Sequence, residues 1–229
     1  MNDFFLRSAE PADLNALVAL EHEVEKALPS RDMFATDEKE FYDPILAGSG
    51  HILLAFDAYE KLAGASVIRF PEADDPENLG ISLNLPPKRL ETVRHLESVF
   101  VRPDIRGKHL AERLVRENMM LTEGCGRTLS MATVWPGNAA SLKLHLKLGL
   151  LIRAFALKYG GRPRFILMDG DKTARAPSVF VRSMDLKGHQ AQLNAGMAGV
   201  AVLPRPELQE FMVEYRPLVS PCVHSSRSA

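Results

Sequence analysis

The chain has 229 residues, 46% of them hydrophobic and 25% charged, with 28 lysines and arginines against 29 acidic residues. That length accommodates one large domain, or one of ordinary size with an appendage, and supplies enough apolar material for a sizeable core. A formal net charge of -1 and a pI of about 6.7 exclude a global basic field, so neither nucleic acid nor a membrane surface is expected as the main partner.

Phe4 to Arg7 reads as a short strand, and Pro11 marks the first turn of a helix whose apolar positions include Leu14, Leu17, Val18 and Val24. A second helix is expected over about Asp37 to Ala47, short or broken because of Pro44 and ended by Gly48-Ser-Gly50. His51 to Tyr59 and Leu62 to Phe70 form two apolar runs split by Glu60-Lys61, which predicts an antiparallel hairpin. Pro71 to Lys88 is polar and proline-rich and reads as a long surface loop of the kind that shapes a substrate mouth.

Thr92 to Val101 is the next expected strand, with Val93, His95, Glu97, Val99 and Val101 on one face and Leu96, Ser98 and Phe100 on the other. A helix from about Gly107 to Glu123 follows, carrying Leu110, Leu114 and Leu121. Arg127 to Trp135 is a strand. In the next segment Leu142, Leu144, Leu146 and Leu148 alternate with Lys143, His145 and Lys147, which by period alone is a strand. The Asn138 cap, the helix-forming alanines and lysines and the Gly149 stop favour a helix instead.

Leu150 to Tyr159 and Arg164 to Met168 predict another strand pair around Gly160-Gly161. Beyond Asp169 the expectations are a strand over Ser178 to Arg182, a helix over Leu186 to Ala195, an edge strand over Glu210 to Tyr215 and a disordered tail from about Ser220. Cys125 and Cys222 have neither a CxxC partner nor metal-ligand spacing, and Cys125 is expected to be a buried thiol. The chain starts without a basic segment leading into an apolar one, and no run of ~18 apolar residues appears. A cytoplasmic protein is the expectation.

Val99 to Ala111 is the stretch that points to chemistry. An apolar strand runs into a basic glycine turn that opens an amphipathic helix. Unpaired N–H groups at a helix start, the helix dipole, and the charges of Arg106 and Lys108 favour a phosphate there. The turn Arg106-Gly107-Lys108-His109-Leu110-Ala111 resembles the acyl-CoA pyrophosphate loop of the GCN5-related N-acetyltransferases, with His109 where that pattern usually has Gly. A second element lies downstream: Asn138-Ala-Ala-Ser141-Leu-Lys-Leu144-His145-Leu-Lys147-Leu-Gly149 resembles the family's Asn-x-x-Ala-x-x-Leu-Tyr-x-Lys-x-Gly helix, with His145 in place of its Tyr.

The resemblance covers about residues 3 to 170. It implies an α/β (α+β) fold with a mixed, largely antiparallel central sheet that splays between its fourth and fifth strands and is flanked by helices. Acetyl-CoA is implied as co-substrate, held by Arg106, Gly107, Lys108, His109, Leu110 and Ala111, by the backbone of Val99, Phe100 and Val101, and by Asn138 and Ser141. His145 would protonate the departing thiolate.

A protonated primary amine cannot attack a thioester, so a base is needed. Glu97, desolvated among valines and with its pKa raised, is the candidate, with His95 as relay. The competing reading pairs Glu97 with Arg94 or Arg69 as a structural carboxylate, and a strand bulge would change its face.

These observations predict an N-acetyltransferase acting by direct transfer onto a small primary amine, with no metal. A homodimer is compatible with that reading. The expected organisation is a catalytic unit over 1–170 and an extension over 171–229 packed on it. Two alternatives keep the fold: a non-catalytic CoA-sensing or interaction protein, and an acyltransferase using a longer acyl thioester.

Overall fold

The computed structural model describes residues 4–34, 38–170, 177–208 and 210–218. Its strands are β1 (Phe5–Ser8), β2 (Gly50–Phe56), β3 (Leu62–Arg69), β4 (Val93–Val101), β5 (Leu129–Val134), β6 (Leu150–Lys158), β7 (Arg162–Asp169), β8 (Val179–Arg182), β9 (Met197–Arg205) and β10 (Glu210–Pro217). Its α-helices are α1 (Leu14–Lys26), α2 (Lys39–Pro44), α3 (Pro87–Leu90), α4 (Leu110–Leu121), α5 (Ala139–Lys147) and α6 (Leu186–Asn194).

The strands form one sheet in the order β1-β2-β3-β4-β5-β7-β6-β9-β10-β8. Every pair is antiparallel except β4 with β5. That parallel pair is short: Val93 to His95 match Leu129 to Met131, and the register stops there. Further along, β4 stays with β3 and β5 stays with β7, so the two strands diverge into a wedge.

Apolar periodicity decides what covers each face. Leu17, Leu20 and Val24 of α1 and Tyr42 of α2 pack with Ile52, Leu54, Ala65, Val67 and Phe100. On the opposite face Leu110 and Leu114 of α4 pack with Leu53, Ala55, Ala63 and Val101. Each such leucine contributes roughly 1.5–3 kcal/mol when fully buried, which holds the start of α4 against the end of β4. In α5 the alternating leucines resolve as a helix, because Leu142 and Leu146 are one turn apart and both buried, while Lys143 and Lys147 are exposed.

Several expectations are corrected. Pro71 to Lys88 is no simple surface loop: Asn78 and Leu79 are buried, and Leu79 joins Val93, Met131, Ile166 and Met168 in a core of its own. The second helix is short, as Pro44 led one to expect, and a wider turn over Ile45–Ser49 follows it, with Gly48 at φ 117° inside. Glu210 to Tyr215 is no edge strand, since β10 lies between β9 and β8. Met197–Arg205, unassigned from the sequence, is a strand that reaches β6 through the pair Ile152 and Gly199. A Cβ on Gly199 would stand 2.7 Å from the Ile152 side chain, so glycine permits that approach. Cys125 is exposed rather than buried. Cys222 and the expected tail from about residue 220 lie outside the described residues.

Candidate active site

The turn between β4 and α4 is held from behind and open in front. Arg102, buried, donates to Asp57 at 2.8 Å, to Asp104 at 2.7 Å and to the Leu62 carbonyl at 3.2 Å. This ties the turn to the β2–β3 hairpin. Ile105 and Leu110 point into the core, while Arg106, Gly107, Lys108 and His109 are exposed. Leu110 therefore offers the site only its backbone. Gly107 sits at φ 80° and His109 at φ 60° and ψ 13°. His109 thus adopts the left-handed conformation that glycine takes without strain, a conformation that favours Gly and tolerates His better than most residues. No side chain caps α4, so the N–H groups of its first turn remain available. Among the described residues no carboxylate pairs with Arg106 or Lys108.

On β4 the register with β3 slips, with Leu96 opposite Ile68 and Ser98 opposite Val67. Glu97 is the extra residue of a bulge. Val93, His95, Glu97, Val99 and Val101 therefore do not share one face. Phe100 packs under α1, whereas Val101 packs under α4. Arg102 N–H donates to Ala63 across the β3 side, so by strand alternation the peptide groups of Val99 and Val101 point to the wedge and that of Phe100 points to β3. The Phe100 side chain is a core residue, 3% exposed with its ring edge-on to Phe34, and the correction concerns its backbone, which faces β3 instead of the wedge.

Glu97 belongs to a cluster. Its Oε2 lies 3.4 Å from Arg69 Nε and 3.4 Å from His95 Nδ1, while Arg69 Nη1 reaches Asp75 at 2.6 Å. The Leu79 N–H donates to His95 Nε2 at 3.1 Å. That acceptor nitrogen carries no proton, which leaves the ring proton on Nδ1; of the two groups this nitrogen faces, Glu97 Oε2 can accept, whereas Arg69 Nη2, 3.2 Å away, is only a donor. Arg69 is thus the arginine that partners Glu97, while Arg94 instead bonds Ser130, Thr122 and the Met119 carbonyl. The expected rise in the Glu97 pKa is corrected too. Burial does push it up, but the His95 hydrogen bond and the charge of Arg69 outweigh that and hold it below the usual range.

On the other flank Asn138 caps α5 by accepting from Ser141 N–H at 3.0 Å. His145 is 5% exposed and its Nδ1 lies 2.8 Å from the Ser141 carbonyl. The carbonyl can only accept, so Nδ1 carries the proton and Nε2 keeps its lone pair. Burial lowers the His145 pKa. The resting ring is neutral, with its one proton committed, and has none on Nε2 to give.

The sequence did not single out the roles of Asp75 or Thr133. Thr133 on β5 lies opposite Ile166, and its hydroxyl is 3.2 Å from the Tyr159 hydroxyl. Nothing local marks Thr133, whose partner lies 26 residues further on, while Asp75 meets Arg69 only because the chain turns back after β3. Among the described residues no group of three or more His, Cys, Asp or Glu side chains is placed to hold a metal, and no helix is long and apolar enough to cross a membrane.

The fold is shared with many solved proteins. yncA from Salmonella typhimurium, solved with its cofactor acetyl-CoA, matches 76% of this chain and 98% of its own at 19% identity and a TM-score of 0.56. Mosquito arylalkylamine N-acetyltransferase like 5b matches 73% and 99% at 16% identity and 0.55. PaiA N-acetyltransferase of Thermoplasma acidophilum, in complex with coenzyme A, matches 74% and 99% at 15% identity and 0.50. No curated protein matches the sequence. Residues 17–150 match the model of the Acetyltransferase (GNAT) family. With the splayed strands and basic helix turn in place, this chain belongs to the GNAT acetyltransferase family.

Proposed function

We propose that the protein is an N-acetyltransferase that moves the acetyl group of acetyl-CoA directly to a primary amine, with residues 1–170 as the catalytic unit. The observation that carries this reading is the divergence of β4 from β5 beside a basic, uncapped helix start. Arg106, Lys108 and the first N–H groups of α4 would hold the pyrophosphate, with Gly107 and His109 supplying the left-handed backbone. The peptide groups of Val99 and Val101 would pair with the pantetheine arm as an added strand does and polarise the thioester carbonyl.

Glu97, ionised and hydrogen-bonded by His95, orients the amine and takes its proton directly or through a water. The nitrogen then attacks the thioester carbon and the C–S bond breaks. His145 cannot start as an acid. Its Nε2 takes the proton lost from the attacking nitrogen and returns it to the sulfur, so protons balance with no covalent enzyme intermediate.

Coenzyme A release on mixing the protein with acetyl-CoA and a panel of primary amines tests this reading. Turnover is the expected result. Thermal stabilisation by acetyl-CoA without turnover on any amine sinks it and favours a CoA-sensing protein, while faster reaction with longer acyl thioesters moves the donor away from acetyl-CoA.

A further inference from the structure

The turn Tyr159-Gly-Gly-Arg-Pro-Arg164 has no part in the steps above, yet it holds an unusual charge. Arg164 is 4% exposed, and among the described residues its hydrogen bond runs from Nη1 to the Pro163 carbonyl at 3.0 Å. No carboxylate pairs with it among the described residues. Asp32 is near enough for its charge to be felt but makes no salt bridge. A buried guanidinium is costly unless an anion meets it, and here a second cation, Arg162, stands two residues away.

Strand alternation fixes the face of the sheet on which this group lies. Ile166 and Met168 pack with Val93 and Met131, and by alternation along β7 Arg164 shares their face. Thr133 pairs with Ile166 and so lies on that face as well. The Arg164 guanidinium stands 5.6 Å over the Tyr159 ring, whose hydroxyl reaches Thr133. The Tyr159 phenol is pushed up in pKa by burial and pulled down by the Thr133 hydrogen bond, with smaller upward contributions from Glu97 and Glu77 and a downward one from Arg164. It therefore lies within electrostatic reach of both. Glu97 provides a negative end suited to an ammonium, and Arg164, over the Tyr159 ring, a positive end with N–H donors that meet no carboxylate among the described residues.

We propose that the acceptor amine carries a carboxylate, and that Arg164, stacked on Tyr159, binds this carboxylate while Glu97 faces the amine. The planar fork of Arg164 suits a carboxylate in a bidentate grip, and the buried setting makes discrimination large, because a neutral amide in its place leaves the guanidinium unpaired. This inference rests on the acetyltransfer reading and names its substrate class.

The test uses coenzyme A release with matched acceptors: the standard L-α-amino acids and β-alanine, each against its carboxamide, on wild type, Arg164→Gln and Arg164→Lys. The wild type should favour carboxylates over carboxamides by roughly 10- to 100-fold in kcat/KM. Arg164→Gln should bring that ratio near one, with KM for acetyl-CoA unchanged, and Arg164→Lys should keep part of it. Equal rates on both members of each pair, or discrimination that survives in Arg164→Gln, overturn the proposal and leave acetyltransfer standing. Should no amine turn over, acetyltransfer fails. Calorimetric titration of the same amino acids and carboxamides into the acetyl-CoA complex then decides the carboxylate site: selective binding lost in Arg164→Gln supports it, and absence of selective binding overturns it. Unfolding curves identify a variant that has lost its fold, in which case the Arg164→Lys ratio decides.

Discussion

His95 and Glu97 face each other across a bulge, with the imidazole Nδ1 3.4 Å from the carboxylate and the ring's other nitrogen accepting from the Leu79 N–H. The pair is oriented from outside β4: Leu79 sets which nitrogen holds the proton, and Arg69, itself anchored on Asp75, supplies the charge that keeps Glu97 ionised.

The ionisation of Glu97 sets the first prediction. Its folded pKa is below its unfolded value, so any stability it contributes is present above the ordinary carboxylate pKa of about 4.3 and is lost as pH falls through the lower folded value. The rise of kcat/KM with pH around neutrality should therefore follow the amine rather than Glu97. Glu97→Gln should lower kcat by roughly 10²–10³-fold and lose the acid limb below about pH 4.3. Unchanged turnover across the pH range would remove Glu97 from the mechanism.

His145 gives a prediction of the same sign for a different reason. Burial lowers its pKa, so the unfolded chain binds the proton more readily. Its contribution to stability is complete above about pH 6.5 and is lost as pH falls through the lower folded value. Urea midpoints of the wild type should drop on acidification in that window, and His145→Gln should drop less. Activity is a separate readout: His145→Phe with wild-type turnover would end its role as a proton carrier.

At His109 the strain of a side chain at φ 60° opposes the entropy cost of glycine. His109→Gly should stay within about 1 kcal/mol of the wild type. His109→Val, which adds a β-branch to that conformation, should cost about 2 kcal/mol. Thermal unfolding measures both, and a tolerated valine would mean that the turn does not hold this backbone.

Arg106 and Lys108 are exposed, with no acidic partner among the described residues. Replacing both by glutamine should raise KM for acetyl-CoA roughly tenfold at low salt, leave kcat nearly unchanged and show a smaller effect at high salt. An unchanged KM would place the pyrophosphate elsewhere.

Leu114, 0% exposed, fastens α4 to the sheet. Leu114→Ala should cost 2–5 kcal/mol, as truncation in a core does, and chemical denaturation would reveal it. A smaller loss would mean that the helix start is held mainly by Arg102.

Sequence alone determined the parts whose signals are local. The run from Val99 to Ala111 contains its own strand, turn and helix periodicity, Asn138 contains its own cap, and together they were enough for the family and for the basic turn that opens α4. Tertiary structure decided what depends on contacts between distant segments. The bulge at Glu97 arises from a register slip against β3, and the carboxylate is held down by His95, whose ring the Leu79 N–H orients, and by Arg69 on that strand. The neutral state of His145 depends on its being buried, and Arg164 differs from a surface arginine because folding buries it beside the Tyr159 ring. Periodicity reports which way a side chain points; its protonation and its partner depend on solvent exclusion and on neighbours that only folding brings near.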